Sequence, residues 1–199
     1  MGVKLRANKK TYELIPNGMY EAVCSDIIDL GVQHSNGKYG EKDTLQVLII
    51  WELPELTYED ADGNKHPRTV RKRYTQSTDA KATIRKHLES WRGRPFTEEE
   101  LVEFDLDNVL GCGCQIQIMQ EQSDDGGKTY ENIKNIVPLK REYWTEPTHK
   151  TSFELKSDRL AEIEFLPEWI QKIIRQSETY KELTGGGSVG DDDLPFPEE

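Results

Sequence analysis

The chain has 199 residues, 35% hydrophobic and 32% charged, with a net charge of -11 and a mean hydropathy of -0.77. That suits one packed core with polar appendages and excludes a bundle of membrane helices, because no run approaches the ~18 apolar residues such a helix needs. Three cysteines, an odd number, argue against a secreted disulfide framework, and the opening 16 residues lack the apolar stretch of a signal peptide, so a cytoplasmic protein with reduced thiols is expected.

An Asn-Gly turn at 17–18 leads into the first predicted strand, about 19–30. The segment 34–43 is rich in Gly and charge and reads as a loop. The second strand is "TLQVLIIWEL", 44–53, where Val47, Ile49 and Trp51 alternate with Gln46, Leu48 and Ile50, so both faces carry apolar groups and the strand should be central and covered. A long connection with an Asp-Gly turn precedes the third strand, "RTVRKRYTQS" at 68–77. The period then changes: a polar cap cluster at 77–79 precedes Ile84, Leu88 and Trp91, which share one face of a helix. Thr97 and Glu100 have the spacing of a capping box and predict a second, short helix. "GCGCQIQIMQEQ", 111–122, is the fourth strand, with Cys112, Cys114, Ile116 and Ile118 on its apolar side, and a Gly-rich turn joins it to a fifth strand over 130–139.

Strand, strand, strand, helix, strand, strand is the element order of the OB-fold, a mainly β, five-stranded barrel with a helix between strands 3 and 4, whose ligands lie on strands 2 and 3 and the flanking loops. Segment 143–166 is mixed, with a short strand at most. From Pro167, a residue suited to a first helical position, to 183 runs an amphipathic helix with Trp169, Ile170, Ile173, Ile174 and Tyr180 on one side, expected to dock on the barrel or on another subunit. The chain divides into a barrel domain, 1–142, a C-terminal extension, 143–183, with its helix at about 167–183, and a flexible linker with a disordered acidic tail, 184–199.

Charge is unevenly spread. Between Lys65 and Arg94 ten Lys/Arg face only Asp79 and Glu89, an excess of eight positive charges; the last sixteen residues carry five Asp/Glu and no Lys/Arg. On the third strand Arg71 and Arg73 fall on one side, and Arg68, Lys72 and Tyr74 on the other. At least one row must be displayed, and a row of cations suits phosphates, whose counterions it releases. Aromatic residues between cations add base stacking, ~1–3 kcal/mol per base. Tyr74 is one candidate, Tyr39 beside Lys38 and Lys42 a second, and Tyr130 near Lys128 a third; Trp51 is a candidate for stacking or for the core, as are Tyr74 and Tyr130. Two cysteines without paired histidines do not make a zinc site, no phosphate-binding P-loop is present, and no nucleophile–base grouping emerges, so neither cofactor nor enzymatic activity is expected.

The end of the chain reads "TGGGSVGDDDLPFPEE". Asp191, Asp192, Asp193, Leu194, Pro195 and Phe196 resemble the acidic tip of bacterial and phage single-stranded DNA-binding proteins, and the style of "GMYEAV" and "KYGEKDTLQVLIIWEL" looks like the bacteriophage members. The resemblance implies an OB-fold that coats single strands in replication, recombination and repair within an infected host cell. It also implies a tip that recruits replication or recombination proteins. The departure is Pro197, Glu198 and Glu199 after the Phe, which removes the terminal carboxylate that the family's tip presents. The aspartates are further expected to compete with DNA for the chain's own basic strand. Two other readings stand: a replisome interaction adaptor that binds nucleic acid weakly, and an RNA-binding or strand-annealing protein on the same barrel.

Overall fold

The computed structural model describes residues 13–37, 40–60, 62–123 and 126–185. The expectations for Lys38, Tyr39 and the 191–196 tip lie outside these residues. The elements are β1 (Gly18–Gly37), β2 (Gly40–Glu59), β3 (Lys65–Thr75), α1 (Thr83–Arg92), α2 (Glu98–Val102), β4 (Gly113–Gln122), β5 (Thr129–Pro138), β6 (Thr151–Phe153), α3 (Glu168–Arg175) and α4 (Glu178–Leu183). The predicted order holds, and β6 and a 3-10 stretch at Ser157–Phe165 fill the mixed region. The first hairpin is longer than expected, because β1 and β2 pair as far as Gly37 opposite Gly40 instead of ending before 34–43.

Five strands run antiparallel in the order β3-β2-β1-β4-β5, and β6 joins β1 in parallel, giving a mainly β molecule built on one six-stranded sheet. The expected barrel does not close. No described ladder joins β3 to β5; side chains span the gap instead. Lys72 Nζ donates to Asn132 Oδ1 at 2.7 Å and to the Ile133 carbonyl at 2.8 Å, and Arg68 lies 3.6 Å from Glu131. A lysine ammonium thus takes up a β5 acceptor that a β3 amide would use in a closed seam.

The sheet carries apolar clusters on both faces, which accounts for the two-sided "LQVLIIWEL". The inner cluster joins Val47, Ile49, Trp51, Val70 and Tyr74 to Ile84, Leu88 and Trp91 of α1 and to Cys114, Ile116 and Ile118 of β4. A bulge between Cys24 and Asp26 brings Ile27 back to the face of Cys24. The outer cluster holds Ile28, Leu30, Leu48 and Ile50 under Phe153, Leu155, Ile163, Leu166, Ile170 and Ile174. Each such side chain, when fully buried, contributes about 1.5–3 kcal/mol. The C-terminal extension therefore docks on the chain's own sheet.

Local chemistry sets the helix ends. Thr97 and Glu100 form the predicted capping box. The polar cluster at 77–79 does not cap α1, which starts at Thr83 after an uncapped Ala82. Instead, Ser77 and Asp79 accept from the Asp79 and Lys81 amides and shape the turn before it. The single helix expected over 167–183 is two. Pro167 is the cap before α3, and the chain turns at Gln176 so that Ser177, fully buried, caps α4 by accepting from the Tyr180 amide at 3.0 Å. Gly31, at φ 70, lies beneath this break: a Cβ there would come within 2.9 Å of Leu155, Ser177 and Thr179.

Candidate nucleic-acid interface

Strand β3 positions the site. Arg71 stands opposite Ile50 and Arg73 opposite Leu48, so both arginines rise from the outer face, with Thr69 and Thr75 in the same exposed row. The opposite row points inward: Val70 and Tyr74 are core, and Lys72 between them is half-buried on the seam. Burial, with Lys134 nearby, lowers the Lys72 pKa.

Arg71 lies where two clefts meet. Its guanidinium carbon is 4.3 Å from the centre of a Trp169 ring. On that side a cleft of about 490 Å³ is lined by Arg71, Phe165, Trp169, Asp26 and His149. On the other side the seam itself opens as a cleft of about 400 Å³, lined by Thr69, Arg71, Leu14, Tyr130, Glu131 and Ile133. Farther along β3, Lys42, Lys72, Arg73 and Lys81 line a third cleft of about 600 Å³. Together these give a cationic band along β3, flanked by Lys42 of β2 and Lys81 of the turn before α1, beginning at Tyr130 and ending at Lys81, where Asp79 also lines the cleft.

The band is less charged than the sequence count implies. Arg85 pairs with Glu89 at 3.0 Å, Arg92 and Arg94 both pair with Glu100, and Arg68 is largely buried between Glu131 and the Glu13 carbonyl. Glu100 and Glu131 lie outside the 65–94 segment and were not counted against it. Arg71, Arg73 and Lys81 make no ion pair with any described carboxylate and are exposed.

The predicted aromatic sites divide. Trp51 is fully buried, 5.9 Å from Trp91, and presents no exposed face. Tyr74 is 4% exposed, and its hydroxyl bonds His87 Nδ1 at 2.8 Å. Both are corrected from candidate base stackers to core residues. Burial also pushes the Tyr74 phenol well above its usual pKa and the His87 imidazole down to about 4. Tyr130, 46% exposed, stands free at the mouth of the seam, with exposed Lys128 just before it. Arg68 is corrected from a displayed phosphate contact to a structural pair, and Lys72 is engaged on β5.

The sequence reading missed three features. Trp169 was placed on the apolar stripe of its helix, yet it also backs Arg71. Phe165, 88% exposed, forms the rim of the outer cleft, and its only signal was an aromatic residue just before "LPEW". In the same cleft His149 bridges Asp26 at 3.0 Å and Glu52 at 3.4 Å, and the Thr148 amide donates to Glu52 at 2.8 Å. These acids make the outer cleft less favourable to an anion than the exposed row of β3. Cys24 and Cys114 are buried and Cys112 is partly exposed, all as free thiols. Among the described residues no group of three His, Cys, Asp or Glu side chains is placed to hold a metal ion, and no helix is long and apolar enough to cross a membrane. No protein-family model matches the chain, and neither does any curated protein.

Proposed function

We propose that the chain is a non-enzymatic, sequence-independent single-stranded DNA-binding protein of the OB type, its barrel left open between β3 and β5. It would serve replication, recombination and repair in a phage-infected cell and recruit partners through residues 191–196. The observation that carries this reading is the row of exposed cations on β3, Arg71 and Arg73 with Lys42 and Lys81 beyond them, running beside the exposed Tyr130. The strand path β3-β2-β1-β4-β5, with α1 entering between β3 and β4, is the arrangement an OB barrel takes when its last seam is left open. Cations on a strand contact phosphates, and an aromatic face stacks on any base, so neither contact reads sequence.

The test is fluorescence anisotropy with labelled oligo-dT, oligo-rU and duplex DNA. Tight binding of oligo-dT with weak binding of the duplex is the expected result. Preference for oligo-rU favours the RNA-binding reading, and no binding to any probe favours an adaptor that works through the tip alone.

A further inference from the structure

The outer cleft and the β3 row share two residues. Thr69 and Arg71 stand in the exposed row and also line the cleft, so a strand laid along the row passes the cleft's mouth. Beyond them the lining is apolar and aromatic. Ile50, Leu166 and Ile170 are buried members of the outer cluster, Trp169 is half-buried beside Arg71, and Phe165 stands at the rim, 88% exposed.

The backbone around Phe165 is tied down although its ring is not packed. Gln171 Nε2 donates to the Leu166 carbonyl at 2.7 Å and to the Glu164 carbonyl at 3.3 Å, so one side chain holds both neighbours of Phe165. Arg175 pairs with Glu164, and Ile163 and Leu166 are buried on either side. A single exposed aromatic is ordinary on a protein surface. This one stands at the mouth of an apolar cleft that holds a second aromatic, on a fixed backbone, so its ring loses little freedom when something stacks on it.

The charges of the cleft separate the two halves of a nucleotide. Asp26 and Glu162, the latter paired with Arg159, line it, and Arg71 is the one Lys or Arg among its described lining residues. A phosphate placed inside would face two carboxylates, whereas an uncharged base meets no such repulsion. Arg71, on the exposed row, can hold the phosphate outside.

We infer that the outer cleft is a seat for one base of the bound strand: the phosphate stays on Arg71, and the base turns into the cleft and stacks on Phe165, with Trp169 and the buried aliphatic residues around it. This rests on the proposed single-strand binding and makes the C-terminal extension part of the binding surface. An aromatic face stacks on any base, so the contact reads no sequence.

The experiment titrates the full chain and Phe165→Ala at several salt concentrations with two probes of equal length, oligo-dT and an oligonucleotide of abasic sites. The probes share their phosphates and differ in the bases. On oligo-dT the variant should bind about 5- to 100-fold more weakly, the cost of one lost stacking partner. Its log–log salt slope should stay within about 0.3 of the parent's, because no cation is removed, whereas Arg71→Ala makes that slope shallower by about 0.7. On the abasic probe parent and Phe165→Ala should bind alike. Phe165→Tyr, which keeps the ring, should match the parent on both probes. The exposed ring contributes little to the core, and an unchanged thermal melt verifies folding; should the melt shift, Phe165→Leu repeats the test, keeping apolar bulk and removing the aromatic face. Equal oligo-dT affinity for a binding parent and its variant, or a loss of the same size on both probes, overturns the base seat and leaves the proposed function standing. A parent that binds no oligo-dT overturns both.

Discussion

His87 offers a quantitative test of the inner core. It lies on α1 between Ile84 and Leu88, is 9% exposed, and holds the Tyr74 hydroxyl at 2.8 Å. Desolvation first, and the charge of Lys72 second, lower its pKa from the usual 6.5 to about 4. A histidine with a depressed folded-state pKa is stabilising as the neutral form: the contribution is fully present above the unfolded value and is lost as pH falls toward the folded one. Between pH 7.5 and pH 5 the unfolded chain takes up a proton that the folded chain refuses. With pKa values of 6.5 and about 4, linkage gives a loss of about 2 kcal/mol. Urea denaturation of the parent and of His87→Gln at both pH values measures it. The variant lacks this titration, while other acid-sensitive groups, including the exposed His34, contribute equally to both proteins and cancel. The parent should lose about 2 kcal/mol more than the variant on acidification. Equal losses would refute the view that the ring is held neutral by burial.

Further consequences concern the band, the C-terminal extension and the tail. Arg71→Ala with Arg73→Ala should make the oligo-dT salt slope shallower by about 1.4, whereas Arg85→Ala, already paired with Glu89, should change it by less than about 0.3; anisotropy titrations separate the two. Gly31→Ala places a Cβ within 2.9 Å of three side chains at a left-handed φ, and should cost about 1–3 kcal/mol in a thermal melt while speeding exchange of the α4 amides. Removing residues 185–199 deletes five carboxylates and should tighten oligo-dT binding at low salt, an effect that added salt abolishes; equal affinity at low salt would remove the competition between tail and DNA.

Element order was legible because its signals are local. Alternation marked β2 and β4, a change of period marked α1, and Thr97 with Glu100 marked α2. The rest depended on residues far apart in the chain. Period two placed Arg68, Lys72 and Tyr74 in one row but gave no direction, and it is the inner cluster that turns that row inward. The charge excess of 65–94 counted nearby carboxylates only, so Glu100 and Glu131 went unseen. The break at Ser177 was hidden because the apolar stripe continues to Tyr180, and only the contact with Gly31 calls for a turn there. His149 meets Asp26 across 123 positions, a separation that no motif spans. The seam was the hardest to read, since the residue that bridges it, Lys72, looks like any other cation in its row.

The attachment of α4 has a mechanical consequence. The Val32 amide donates to Thr179 Oγ1 at 2.9 Å, and Gly31 seats the same helix, so the last described element is fastened to the strand that lies between β2 and β4. If a partner grips the proposed tip and pulls, it does not load a loose strap at the periphery. The tension passes through α4 into the middle of the sheet, where rows of backbone hydrogen bonds on both sides share it. A pull applied beyond residue 185 is thus borne by the centre of the sheet, and α4 does not peel away by itself.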